Sequence, residues 1–137
     1  MPKTRRILIT SALPYANGHI HLGHLVEYIQ TDIFARFQRL CGNQAIYLCA
    51  DDTHGTAIMI RAQTENRTEQ ELIASMRDAH LADFEGFQIT FDHYGSTNSV
   101  ENRSLCNHVW QSLRKQDFVA QREVSQLFDT KAGIFLA

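Results

Sequence analysis

Two histidines, His21 and His24, lie three residues apart where a long helical pattern begins. This spacing places both imidazoles on one face of a helix, beside backbone N–H groups at the positive end of the helix dipole. Imidazoles, with a reference pKa of about 6.5, can act there as charged donors that stabilise charge developing on a phosphate during a displacement. The alternative is that the two histidines only bind a phosphate in the ground state.

The loop before these histidines is rich in turn-forming residues, which are Pro14, Asn17 and Gly18. Gly23 leaves room for a flat group against the helix backbone. Leu13 and Tyr15 follow neither a helical nor a strand period, so they either wall a pocket or pack beneath the loop. A zinc site is a weaker alternative, because two-histidine metal helices have i,i+4 spacing with an intervening glutamate.

Two adjacent aspartates, Asp51 and Asp52, follow an apolar segment over residues 45–50. One of them is expected to cap or bond within its own turn and the other to meet a substrate ammonium, but the residue types do not decide which. Ligands bind at the carboxyl ends of the strands of an open α/β sheet. We therefore expect the histidine loop and the aspartate loop to face one crevice.

Strand, helix and strand patterns follow one another at the start of the chain. Residues 7–10 and 45–50 are continuously apolar, as in a parallel sheet that is covered on both faces. Between them, apolar residues recur at three- and four-residue steps over 22–40, which predicts one amphipathic helix. These elements form a βαβ unit, and the continuing alternation of strands and helices predicts an open α/β sheet.

Local signals predict further elements along the chain. In order these are a helix over 56–63, a helix with a Thr68–Glu71 capping box that stops near Gly86, a strand over 87–91, a helix capped by Asn98 and Glu101, and a hairpin of strands 118–121 and 124–128. His80 falls on the inner face of the second of these helices. The histidines that belong to no convincing catalytic constellation are His54, His80, His93 and His108.

The composition favours one compact domain in a reducing compartment. The chain has 137 residues and a formal net charge of −2, with both signs interspersed, so its charge neither supports nor excludes an RNA partner. Three widely spaced cysteines, Cys41, Cys49 and Cys106, argue against a disulfide framework. The N-terminal apolar run is too short for a signal peptide or a membrane span. We therefore expect a cytoplasmic protein with no membrane partner.

Residues 15–24, Tyr-Ala-Asn-Gly-His-Ile-His-Leu-Gly-His, resemble the nucleotide-binding signature of class I aminoacyl-tRNA synthetases, with 21–24 at its four-residue core. The flanking residues 12–15 and the later Ala-Asp-Asp-Thr-His-Gly-Thr at 50–56 are similar to those of the methionyl-tRNA synthetase family. The isoleucyl, leucyl and valyl enzymes share the histidine signature. Their second motif, however, has a Trp-Asp-Cys-His-Gly form that residues 50–55 do not match.

The resemblance implies a fold and an activity. The fold class is α/β: residues 1–117 would be the first half of a Rossmann-like parallel-sheet nucleotide-binding domain, and residues 118–137 would begin a zinc-bearing connective insertion. The family activates methionine with ATP to methionyl-adenylate and pyrophosphate, and then transfers the methionyl group to the 3′ end of tRNA(Met). The substrates and partners would be methionine, ATP with Mg²⁺, and tRNA(Met).

The resemblance also assigns roles to residues of the two motifs. His21 and His24 would be catalytic, stabilising the transition state as the methionine carboxylate attacks the α-phosphate. The residues that would bind ATP are Tyr15, Asn17, Gly18, His21, Gly23 and His24. Those that would bind methionine are Ala12, Leu13, Tyr15 and Asp52, with Asp52 on the ammonium group. A zinc site and a homodimer stay open for the parent protein, whose zinc ligands would lie outside this chain.

The chain also departs from the family pattern. Ala57 stands where many members have proline, a change of small effect at a helix start. The Lys-Met-Ser-Lys-Ser loop that grips the ATP phosphates is absent, and the chain stops on the apolar residues 134–137. We expect the N-terminal piece of a longer protein, alone at best a weak binder of ATP or methionine. The alternatives are a small nucleotidyltransferase with a His-x-Gly-His loop, or a non-catalytic truncated relic that serves as a binding module.

Overall fold

A computed structural model describes residues 4–131 and 133–135. Its elements in chain order are β1 (Arg6–Thr10), α1 (Leu22–Leu40), β2 (Gln44–Asp51), α2 (Thr56–Thr64), α3 (Glu69–Gly86), β3 (His93–Ser96), α4 (Val100–Lys115), β4 (Phe128–Asp129) and β5 (Ile134–Phe135). No helix in the described ranges is long and apolar enough to cross a membrane. The chain divides into two compact units, Met1–Arg103 and Ser104–Ala137. The domain boundary expected after residue 117 stays a prediction.

The first unit is built on a parallel sheet with the strand order β1-β2-β3. The central strand is β2, in which Tyr47 pairs with Ile9 of β1 and Cys49 pairs with Tyr94 of β3. Helix α1 connects β1 to β2, as a parallel pair requires a crossover. The predicted βαβ unit and the α/β fold class are therefore confirmed. The two predicted strands are each slightly longer than expected, because they include Arg6, Gln44 and Asp51.

Helix α1 follows its apolar period and ends before a glycine. Leu25, Tyr28 and Ala35 are buried along one stripe. Beyond the helix, Gly42 has a φ of 79°, a left-handed conformation that glycine adopts without strain. The bounds predicted over residues 22–40 are confirmed. The predicted helix over 56–63 is observed as α2, and the Thr68 capping box opens α3 as expected.

The core of the first unit is aromatic. Phe84 of α3 packs edge-on against Tyr28, Phe91 and Tyr94, with ring centroids 4.8, 5.0 and 5.7 Å apart. Tyr47 lies beside Phe91 at 4.7 Å, and burial raises the pKa of its hydroxyl to about 12. Edge-to-face pairs of this kind contribute about 0.5–1.5 kcal/mol each beyond their buried area. The cluster fixes α3 against the sheet, and α3 carries polar residues that reach the strand ends.

The strand predicted over residues 87–91 is wrong, because these residues close the end of α3. The Ile89 N–H donates to the Phe84 carbonyl at 2.9 Å, and Gln88 takes a left-handed φ of 57°. Ile89 and Phe91 then pack into the core, which gives the sequence the alternation of a strand. The third strand of the sheet begins only at His93.

The cap predicted for the helix after β3 is displaced by one residue. The hydroxyl of Ser99, and not the side chain of Asn98, accepts a hydrogen bond from the Asn102 N–H at 3.1 Å. Helix α4 accordingly starts at Val100. Serine and asparagine are both good caps, so composition alone did not separate these neighbouring positions.

The hairpin predicted from strands 118–121 and 124–128 is also wrong. The observed hairpin pairs β4 with β5, with Phe128 opposite Phe135. Its turn is closed by the Asp129 carboxylate, which accepts a hydrogen bond from the Lys131 N–H at 2.8 Å, and by Gly133 at a φ of 67°. These are turn-forming residues, whereas positions 122 and 123 are arginine and glutamate.

Candidate active site

The loop that follows β1 and the loop that follows β2 meet at the carboxyl edge of the sheet. Asp52 donates its N–H to the Pro14 carbonyl at 2.9 Å, and its own carbonyl accepts from the Ala16 N–H at 2.8 Å. These bonds make a parallel bridge between Tyr15 and Asp52. The two polar loops therefore meet at one edge of the sheet, and the expectation that they face one crevice stays a prediction.

His21 and His24 cap the start of α1 reciprocally. Nδ1 of His21 accepts from the Gly23 N–H at 3.1 Å, and Nδ1 of His24 accepts from the His21 N–H at 3.3 Å. The two rings are stacked with centroids 3.8 Å apart, and both are exposed. Since both Nδ1 atoms accept, each neutral ring carries its proton on Nε2. Each Nε2–H is without a partner in the described chain and can donate to a ligand.

Burial and neighbouring charges act against the charged form of His24. Burial lowers the pKa of His24, and the charges of His21 and His80 lower it further. A proton on either Nδ1 would also remove an acceptor from the helix cap. The structure therefore favours a neutral Nε2–H donor at His24. Two backbone N–H groups that the sequence left free for a phosphate, those of His21 and Gly23, are bonded to the imidazoles.

The glycine at position 23 has a steric role that sequence reasoning did not find. A Cβ at this position would lie 2.9 Å from Cε1 and 3.0 Å from Nδ1 of His21. The absence of a side chain is thus required by the imidazole cap itself. The suggestion that Gly23 makes room for a flat ligand stays a prediction.

The two aspartates have different environments. Asp51 is fully buried, and its carboxylate is bonded by His80, Tyr94 and Arg77. Asp52 is half-buried, and its carboxylate makes no hydrogen bond or ion pair within residues 4–131 and 133–135. Asp51 is therefore the structural member of the pair. Asp52 keeps a carboxylate without a partner among the described residues, beside the bridge to Tyr15, and its role in binding an ammonium stays a prediction.

The other residues predicted to bind methionine lie in the segment that follows β1. Ala12 is exposed at its side chain, but its N–H donates to Glu27 at 2.6 Å and its carbonyl accepts from the Tyr28 hydroxyl at 2.9 Å. Leu13 is 43% exposed, so it is available to wall a pocket. Tyr15 is half-buried, and its hydroxyl fills the space where a Cβ of residue 55 would be, which requires the glycine found there.

A small cleft of about 80 Å³ brings together part of the predicted ATP site. Tyr15, Asn17, Gly18 and His24 line it, together with His80. Its lining does not include His21 or Gly23. It also lacks three of the residues predicted to bind methionine, which are Ala12, Leu13 and Asp52. A larger open cleft of about 400 Å³ lies at the starts of α2 and α3, and none of the predicted site residues lines it.

His80 is the residue at this site that the sequence did not assign. It is fully buried on α3, with Nδ1 2.8 Å from Asp51 Oδ1 and Nε2 2.8 Å from the Gly18 carbonyl oxygen. Sequence reasoning did not find this hydrogen-bonded cluster. The available signal was a histidine on the apolar face of an amphipathic helix, since a buried polar side chain needs partners. Within the described ranges, no three histidine, cysteine or acidic side chains converge as they would around a metal ion.

The parallel sheet and the two loops that meet at its carboxyl edge agree with the fold that the two motifs imply. The family model described as "tRNA synthetases class I (M)" matches residues 7–137, so the chain belongs to this family. The resemblance drawn from the two motifs is confirmed.

Curated relatives agree with this assignment. The chain is 65% identical over 134 residues to the methionine–tRNA ligase of Rhodopirellula baltica, covering 98% of the chain and 20% of that protein. It is also 65% identical over 133 residues to methionine–tRNA ligase 1 of Sorangium cellulosum, covering 97% of the chain and 19% of that protein. The chain therefore spans about a fifth of the length of these relatives.

Solved structures share the fold. The methionyl-tRNA synthetase of Mycobacterium tuberculosis in complex with methionyl-adenylate is 24% identical with a TM-score of 0.85, over 98% of this chain and 26% of that one. A second structure of the same synthetase, bound by methionyl-adenylate, is 27% identical with a TM-score of 0.75, over 82% and 22% of the two chains. The first likeness shows the fold alone.

Proposed function

We propose that the protein is a methionine–tRNA ligase and that this chain is the N-terminal part of its catalytic domain. It would activate methionine with ATP to methionyl-adenylate and pyrophosphate, and then transfer the methionyl group to the 3′ end of tRNA(Met). The observation that supports this most is the backbone bridge between Tyr15 and Asp52, which joins the two family motifs at the carboxyl edge of the sheet. The identity to named methionine–tRNA ligases supports the choice of amino acid.

The amino acid would bind on the side of the crevice formed by β2. The Asp52 carboxylate, which has no partner within the described part of the chain, would pair with the methionine ammonium. Ala12, Leu13 and Tyr15 would line the side-chain pocket. This arrangement leaves the methionine carboxylate free to act as the nucleophile.

ATP would bind along the loop and the start of α1. Asn17 and Gly18 line the small cleft, and Gly23 would let the adenine approach the helix. A carboxylate oxygen of methionine attacks the α-phosphorus, a new C–O–P bond forms, and the bond to the departing pyrophosphate breaks. The Nε2–H groups of His21 and His24 would donate to the phosphate oxygens as negative charge develops there. No covalent bond to the protein is needed.

Other properties belong to the same proposal. Mg²⁺ would accompany ATP, which it usually contacts through the phosphates while keeping several waters. Residues 1–117 would form the first half of the catalytic domain, and residues 118–137 would begin the zinc-bearing insertion. The cytoplasmic location and the homodimer are proposed for the parent protein on the family relationship alone.

The test is methionine-dependent exchange of pyrophosphate into ATP by the protein in its full encoded length. We expect methionine, and not leucine or isoleucine, to support exchange. Asp52→Asn should lower kcat/KM for methionine by about 10–100-fold, since hydrogen bonds to charged groups contribute about 1.5–3 kcal/mol. Asp117→Asn is the matched control, because Asp117 is exposed and its φ of 55° suits asparagine. Absence of exchange with methionine would overturn the proposal.

A further inference from the structure

His80 connects two parts of the site that are far apart in sequence. Its Nδ1 lies 2.8 Å from Oδ1 of Asp51 at the end of β2, and its Nε2 lies 2.8 Å from the carbonyl oxygen of Gly18 in the nucleotide loop. The side chain is buried on α3 and lines the small cleft beside His24. One imidazole thus spans from the sheet to the loop.

Both partners of this imidazole are acceptors. The Gly18 carbonyl has no proton to donate. The Asp51 carboxylate already accepts from the Tyr94 hydroxyl and from Arg77 at 3.4 Å, which are the partners of an ionised carboxylate. Each ring nitrogen of His80 must therefore donate, so the ring carries both protons and a positive charge.

The Asp51 end of this link is held independently of His80. Arg77 donates to the carbonyl oxygens of Gly95 at 2.6 Å and Tyr94 at 2.7 Å, and its guanidinium lies over the Tyr94 ring at 5.1 Å. Asp51 is thus fixed to β3 by Arg77 and Tyr94. Loss of the His80 bond would leave this anchor in place.

The Gly18 end has no such support. The first part of the loop is held by the backbone bonds of Asp52 and by Arg61, which donates to the Asn17 carbonyl. Among the described residues, the His80 bond is the only hydrogen bond to the backbone of residues 18–20. His80 therefore controls the part of the loop that leads into the histidine pair.

We propose that His80, as an imidazolium, is a positioning residue that ties the nucleotide loop at Gly18 to the end of β2. Its role deepens the proposed function and rests on it, because the loop positioned in this way is the one assigned to ATP. The link acts on the nucleotide side more than on the methionine side, since Tyr15 and Ala16 are bonded to Asp52 without it.

The charged groups around His80 favour its doubly protonated form. The titratable and charged groups facing His80 are His24 of α1, Asp51 of β2, Tyr94 of β3, and Arg77 and Asp83 of α3. Burial alone would lower the pKa of His80, but its bonds to Asp51 and Gly18 and the charges of Asp51 and Asp83 outweigh burial and raise it. Because the folded pKa lies above the ordinary value of about 6.5, the link is fully present below that pH and is lost as pH rises through the folded pKa.

The charge of His80 can be measured without any assay of activity. In the full-length wild-type protein, long-range ¹H–¹⁵N NMR should show both His80 ring nitrogens protonated at neutral pH. His80→Gln identifies the signal, and His108→Gln, an exposed histidine on α4, is the matched control. A single protonated ring nitrogen at neutral pH would overturn the proposal even if the variant fails to fold.

Kinetic measurements then distinguish a role of His80 in positioning the loop from a role in the stability of the fold. In methionine-dependent pyrophosphate exchange, His80→Gln should raise the KM for ATP by about tenfold, the effect of losing one charge-assisted bond, and the KM for methionine much less. The wild-type KM for ATP should rise with pH above the ordinary histidine range, and this rise should disappear in His80→Gln. A folded variant with unchanged KM for ATP would overturn the role. No exchange by the wild type would instead contradict the proposed function, and the NMR result would still decide the charge.

Discussion

The histidine pair serves the helix as well as the proposed chemistry. Each Nδ1 caps a backbone N–H at the start of α1, and each Nε2–H stays available for a ligand. Imidazoles are unusual caps, because serine, threonine, aspartate and asparagine are the preferred residues. The cap fixes the tautomer and orientation of both rings before a ligand arrives. Such preorganisation removes part of the ordering cost when charge develops on a phosphate.

The steric role of Gly23 gives a direct prediction. In Gly23→Ala the new Cβ would lie 2.9 Å from Cε1 of His21, so the imidazole must shift from its capping position. Relative to Gly86→Ala, weakening of the cap should lower the free energy of unfolding by about 1 kcal/mol in urea denaturation. Gly86→Ala is the control, because nothing lies within 4 Å of its Cβ and the position is helical. Equal stability of the two variants would show that the cap contributes nothing.

The protonation of His24 gives a prediction in the opposite pH direction from His80. Burial, then the charges of His21 and His80, lower its pKa, so the cap is present above about 6.5 and is lost as pH falls through the folded value. An NMR titration of His24 should have its midpoint below about 6.5. In His80→Gln the midpoint should move up, because a nearby positive charge is gone. A midpoint above the ordinary value would contradict the neutral-donor interpretation.

At this scale, sequence reasoning found the residues of the two motifs but not their partners. The His21–His24 spacing gave the helix face because it is local. Residue types alone did not separate Asp51 from Asp52, because the residues that bond Asp51 come from α3 and β3, and only the family resemblance pointed to Asp52. The role of His80 was not predicted, because its two partners lie far away in sequence, at positions 18 and 51.

Helices and strands with strong local signals were predictable. The period of α1 gave both of its ends, and the Thr68 capping box gave the start of α3. The strand expected over 87–91 failed because Ile89 and Phe91 alternate into the core while Gln88 closes a helix end with a positive φ. The hairpin failed because its turn depends on Asp129 and Gly133, some residues beyond the predicted strands. In both cases the backbone conformation determined the secondary structure, because the apolar pattern is compatible with a strand and with irregular chain.

The capping box of α3 carries a prediction for this element. The Thr68 hydroxyl accepts from the Glu71 N–H at 3.2 Å, and Glu71 accepts from the Thr68 N–H at 2.8 Å. Thr68→Ala should therefore lower the free energy of unfolding by about 1 kcal/mol in urea denaturation. Thr64→Ala is a matched control, since its exposed hydroxyl only bonds back to the Ile60 carbonyl within α2. A larger loss for the control would contradict the assigned cap.

At the scale of the first unit, the parallel sheet creates the site. β1 and β2 run side by side and end at one edge, so the loops after them meet at Tyr15 and Asp52. Helix α3 is fixed over the sheet by Phe84 and brings His80 to the loop that follows β1, at Gly18. The pairing of β1 with β2 and the meeting of the loops that follow them were predictable from the alternation of elements. The link through α3 was not, because it depends on packing between distant segments.

The central claim is that the loop after β1 and Asp52 together bind a methionyl-adenylate. The most direct measurement is the affinity of a non-hydrolysable methionyl-adenylate analogue for the full-length protein, determined by isothermal titration calorimetry. We predict tight binding to the wild type, weaker binding of the leucyl analogue, and a loss of about 10–100-fold in Asp52→Asn but not in Asp117→Asn. Equal affinity of the wild type and Asp52→Asn for the methionyl analogue would contradict the account.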